Sequence, residues 1–116
     1  MADPQKLYRQ FGDILPELAK VMAYDLERFD LSWRRHFIDY TLAFQKLINI
    51  LTKLPYEAEE EALKVIEDYI ASRQKPYGEW KSPDWLDYML GQVVERAKKR
   101  QRRKRHKPLA DDELPF

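Results

Sequence analysis

Apolar residues recur along this chain in alternating steps of three and four, the period of one helix face and not the every-second pattern of a strand. The clearest stretch is Trp33, Phe37, Tyr40, Phe44, Leu47, Leu51 and Leu54, flanked by Ile38, Leu42, Ile48 and Ile50. A stripe this wide predicts a long central helix facing two neighbours. Asp30 is placed to cap it. Leu54-Pro55 ends it, because proline lacks the donor a helix needs and pushes the preceding residue out of the helical region.

The same punctuation divides the rest. Asp3-Pro4 predicts a short first helix carrying Leu7, Tyr8 and Phe11, with Gly12-Asp13 interrupting it. Asp13 then caps a second helix with Leu15, Leu18, Met22, Leu26 and Phe29 on one face. After Pro55 a helix is predicted from Tyr56 to Arg73, with acids in its first turns where the helix dipole favours them. Its buried face is Ala58, Ala62, Val65, Ile66, Tyr69 and Ile70. Lys75-Pro76-Tyr77-Gly78 reads as a loop, and Ser82-Pro83 restarts a helix whose apolar face runs from Trp85 to Ala97. Pro108 is expected to end that helix. The fold expected is all-α, a four- or five-helix bundle with a basic C-terminal extension and a short acidic tail.

At 116 residues, 44% hydrophobic and 13% aromatic, the chain suffices for one domain with one core. Cysteine is absent, which removes disulfide and thiolate chemistry. No apolar run is long enough to span a bilayer and Met1–Gly12 has no signal-like core, so a cytoplasmic location without membrane partners is expected.

Charge changes the picture most. Residues 1–95 form a helical body with net charge -5, residues 96–107 a basic arm of +9, and residues 108–116 an acidic tip of -3, behind an overall charge of only +1. Segmented charge of this kind marks contact with partners.

The body offers little chemistry. It has one histidine, three serines and two threonines, without a nucleophile elbow, phosphate loop or paired metal-ligand motif. His36 and Asp39 share a helix face, but two ligands do not make a metal site. Dipole complementarity accounts for the acids from Glu57 to Glu61. No catalytic residues, metal or cofactor are therefore expected, and the protein is not read as an enzyme.

The arm, "RAKKRQRRKRHK", places Arg96, Lys98, Lys99, Arg100, Arg102, Arg103, Lys104, Arg105 and Lys107 within twelve residues. Such a run releases counterions from a phosphate backbone, giving salt-sensitive affinity with little dependence on base sequence. Tyr77 and Trp80, in a loop with Lys75 and Lys81 nearby, are the aromatics placed to stack on bases; the other aromatics sit at core spacing.

The chain closes on Asp111, Asp112, Glu113, Leu114, Pro115 and Phe116. This order of acids, Leu and Pro-Phe resembles the acidic C-terminal tip of bacterial single-stranded DNA-binding proteins. The resemblance covers six residues; that family's β-barrel and long flexible linker have no counterpart here. It implies a docking peptide for replication and repair proteins, in which the Phe116 ring enters an apolar pocket, its carboxylate meets a basic rim residue and the three acids steer the encounter. Adjacent +9 and -3 segments also suggest that the tip competes with nucleic acid for the arm.

The function expected is a nucleic-acid-binding accessory protein of DNA replication, recombination or repair, acting on single-stranded DNA and recruiting partners through its tip, with a phage or other mobile element as its source. The alternative is a helical interaction or inhibitor module that docks through the same tip, and self-association stays open in both.

Overall fold

A computed structural model of the chain describes the backbone of residues 4–27 and 33–111 and the side chains of residues 5–27 and 34–102. Four helices, α1 (Pro4–Leu26), α2 (Trp33–Lys53), α3 (Tyr56–Ser72) and α4 (Pro83–Asp111), account for nearly all of it, with one 3-10 turn at Tyr77–Glu79. There is no strand among the described residues. The all-α bundle expected from the periodicity is what the chain forms.

α1 is one helix where Gly12-Asp13 predicted a break and a new cap, so Asp13 lies in the helix interior. Leu7, Phe11 and Leu18 are buried and Ile14, Leu15, Val21 and Met22 pack against them, so a single stripe runs unbroken across Gly12 and Pro16. A helical glycine costs about 1 kcal/mol and a proline about 3 kcal/mol. Burial of several large apolar side chains at about 1.5–3 kcal/mol each outweighs both. The caps expected at Asp3 and Asp30, and Phe29, lie outside the described residues.

α2 and α3 are joined by Leu54-Pro55, and the Pro55 carbonyl accepts the amide of Ala58 at 2.9 Å to open α3. Ala58, Ala62, Val65, Ile66 and Tyr69 are buried as the spacing predicts, and Leu63 joins them. α4 lies chiefly against α2 and also against α3, while α1 packs on α3 and α2. Leu86, Leu90, Val93, Val94 and Ala97 supply the α4 side of the core. α4 opens with the Ser82 carbonyl accepting the Trp85 amide at 3.0 Å, and the Ser82 hydroxyl donates to the Asp84 carboxylate.

A buried polar knot ties three helices together. Arg73, just past α3, donates through both terminal guanidinium nitrogens to Asp25 of α1 at 3.0 and 2.8 Å. Tyr40 of α2 donates to Asp25 at 2.5 Å and its hydroxyl lies 2.7 Å from that of Tyr69, which also accepts from Arg73 at 2.9 Å. Burial pushes the Tyr40 phenol far above its ordinary range and the Tyr69 phenol up to about 12, so both stay protonated and serve as hydrogen-bonding groups.

Glu59 is a second buried polar residue on α3, and only partly satisfied. It accepts from the Tyr8 hydroxyl, yet its Oε1 has no partner. Burial raises its carboxyl above the ordinary 4.5, with the Tyr8 hydrogen bond opposing. A raised folded-state value means a contribution present below the unfolded value and lost as pH climbs through the folded one. Glu59→Gln should therefore raise the melting temperature at pH 7 by a few degrees and bring no gain near pH 4, as read by thermal unfolding at the two pH values.

Candidate nucleic-acid interface

α4 is 29 residues long, about 43 Å at 1.5 Å per residue. Its last buried residue among the described side chains is Ala97, and fourteen helical residues follow. They continue through Pro108 to Asp111, past the point where the proline was expected to end the helix. Pro108 removes a single donor near the end of a long run of helix-favouring Arg, Lys and Gln, and one missing bond there does not undo the turns before it. The basic run thus stands on a helix that extends past the core. The radius of gyration is 17.3 Å, against about 13 Å for a compact chain of this length.

The structure sorts the cations at the root of this extension. Glu61 of α3 accepts from Arg96 at 3.2 and 3.3 Å and stands 3.4 Å from Arg100, so these two guanidiniums are held against the body. Lys98 lies on the other side of α4, bordering an open groove shared with Lys46 and Lys53 of α2. Lys46 itself pairs with Asp87, and the missing side chain at Gly91 leaves room for its stem, since a Cβ there would lie 3.3 Å from the Lys46 Cε. Lys99 and Arg102 are exposed. The side chains of Arg103, Lys104, Arg105, Lys107 and Asp111 lie outside the described residues, as do Asp112, Glu113, Leu114, Pro115 and Phe116 entirely.

Tyr77 and Trp80 are placed together but away from the arm. The Trp80 indole donates to the Lys75 carbonyl at 2.9 Å, and the Arg73 guanidinium lies 4.7 Å from its ring centre. Tyr24 packs edge-on against it with ring centres 6.2 Å apart. Trp80 is thereby engaged in closing the loop over the polar knot. Tyr77 is 74% exposed, and of the two it is the ring with a face to offer a base. Arg96 stands thirteen residues along α4 from Pro83, about 20 Å, so the loop lies at the start of the helix and the root of the basic run near its middle.

Sequence spacing missed two features here. Glu61 was read as one of several dipole acids, and nothing local marks it as the partner of residues 35 and 39 positions away. Arg73 carried no signal that it would meet Asp25. His36, half-buried with an unpartnered Nδ1, has no further ligand beside Asp39, whose carboxyl is raised chiefly by burial, with Asp84 next. Among the described residues no three His, Asp or Glu side chains converge, and no helix is long and apolar enough to cross a membrane. No family model matches the chain, and no curated protein or solved structure is significantly similar to it.

Proposed function

We propose that this protein binds nucleic acid through the extended basic end of α4, as an accessory factor of DNA replication, recombination or repair, with single-stranded DNA as its ligand. The observation that carries the reading is the continuity of α4, which holds a run of nine cations within twelve residues on a helix continuing beyond the last core contact. A helix of cations clear of the body reaches phosphates on either side without desolvating the core, and its binding is electrostatic and indifferent to base sequence. The acidic tip that follows, by its likeness to the docking peptide of bacterial single-stranded DNA-binding proteins, recruits partner proteins of the replication or repair machinery.

The test is fluorescence anisotropy with labelled single-stranded and duplex DNA across a salt series, on the full chain and on a chain ending at Ala110. Salt-sensitive binding with preference for single strands is expected, tighter at low salt in the shortened chain because the competing acids are gone. Absence of binding by both chains at low salt would discard the reading. A helical interaction module is then the reading left, and the uncharged outer face of α2 favours it.

A further inference from the structure

The outward side of α2 is the surface of this molecule that its own fold does not use. Phe37, Ile38, Leu42 and Ile48 are 54, 55, 40 and 60% exposed. Thr41, Gln45 and Thr52 are exposed between them, with Asn49 partly so. Both threonine hydroxyls donate back to the carbonyl four residues earlier, Thr41 to Phe37 at 2.8 Å and Thr52 to Ile48 at 2.7 Å, which satisfies the hydroxyls within the helix. The two charged residues between positions 37 and 52, Asp39 and Lys46, are half-buried, and Lys46 is drawn to Asp87 of α4. In a chain with 35% charged residues, an exposed strip about 22 Å long without one is unusual.

The order of residues along the strip says what covers it. Counted outward from Gln45, Leu42 matches Ile48, Thr41 matches Asn49, Ile38 matches Thr52 and Phe37 matches Lys53. Leu42 with Ile48 joins apolar to apolar and Thr41 with Asn49 polar to polar; Ile38 meets the methyl of Thr52, whose hydroxyl is already bonded within its own helix, and the Phe37 ring meets the Lys53 cation. A contact between two identical copies about a two-fold axis requires such matches, because residue i then meets j while j meets i. A different partner places no such demand. We propose that this face is a homodimer interface, in which α2 lies antiparallel against α2 of a second copy with the two-fold axis at Gln45. The two Gln45 amides then face each other, and each carries both a donor and an acceptor. No like charges meet when the strip pairs with itself, because positions 37–52 expose no charged residue and Lys53 at its end lies opposite Phe37. One helix face per copy is at the small end of stable interfaces, so the dimer is reversible and depends on concentration. The α2 face and the basic end of α4 are separate surfaces, so the dimer does not require nucleic acid.

Sedimentation equilibrium of the full chain over a concentration series tests it. The expected result is a mass rising from 14.0 kDa towards twice that value as concentration increases. Gln45→Glu sets two carboxylates on the axis and should weaken association at least tenfold at pH 7, with recovery near pH 4 as the acids protonate. Because the natural chain has no cysteine, Gln45→Cys alone should form a disulfide-linked dimer on mild oxidation. Ile38→Cys and Thr52→Cys chains should link when mixed and much less when each is alone. All these positions are exposed, and an unchanged far-ultraviolet spectrum checks the fold. A mass that stays at 14.0 kDa throughout overturns the proposal, as does a dimer indifferent to Gln45→Glu.

Discussion

Arg73→Met is expected to lower folding stability by about 3–5 kcal/mol, the cost of leaving one member of a buried ion pair without the other. The Asp25 and Arg73 side chains are 8 and 10% exposed, so water cannot replace the lost partner. The damage extends past one contact. Arg73 also supplies the Tyr69 hydroxyl and lies over the Trp80 ring, so removing it loosens the packing of α1, α2, α3 and the loop before α4 together. In urea unfolding this is a large fraction of the 5–15 kcal/mol available to a domain, and in thermal unfolding a fall of about 10–20 °C. The double change Asp25→Asn with Arg73→Met should recover much of the loss, because it removes the stranded charge while keeping an acceptor for Tyr40. If the single change costs less than about 1 kcal/mol, within the range of an exposed pair, the knot is not the tie described here.

The second large effect belongs to the arm. Arg96 and Arg100 are held by Glu61, and neutralisation of phosphates by the other seven cations of the run predicts a slope of about -5 for log K against log salt with single-stranded DNA. Between 50 and 200 mM salt the affinity should fall about a thousandfold. Replacing Lys98, Lys99, Arg102 and Arg103 by Gln should reduce the steepness by about 3, whereas Glu61→Gln, which releases two arginines, should increase it by about 1. Opposite signs from the two variants distinguish an organised root of α4 from a bare count of charge. A slope unmoved by the fourfold change would place the binding surface elsewhere, with Tyr77 the first residue to examine.

Three helices could be traced in the sequence almost residue by residue, since the faces of α2, α3 and α4 follow the 3.6 period and their flanking prolines fall at real breaks. The two misplaced boundaries have different causes. Pro108 lies well past Ala97, the last buried residue among the described side chains, and the helix-favouring Arg, Lys and Gln before it carry α4 on without core contact. Gly12 costs about 1 kcal/mol in a helix, and that is overridden because the apolar stripe on both sides of it docks on one core. Pro16 inside α1 shows the same competition. The wide stripe on α2 was read as facing two neighbours inside the bundle. One flank of it packs against α1, α3 and α4, and the other remains at the surface.

Composition and periodicity by themselves determined the helical class, most of the core and the position of the basic run, because a helix face and a block of like charge are written in adjacent residues. The tertiary structure decided the rest. Asp25 meets Arg73, Glu61 takes hold of Arg96 and Arg100, and the strip around Gln45 stays uncovered, because each depends on residues far apart in the chain and on where neighbouring helices come to lie. No local spacing encodes that arrangement; it follows from packing all four stripes into one core at once.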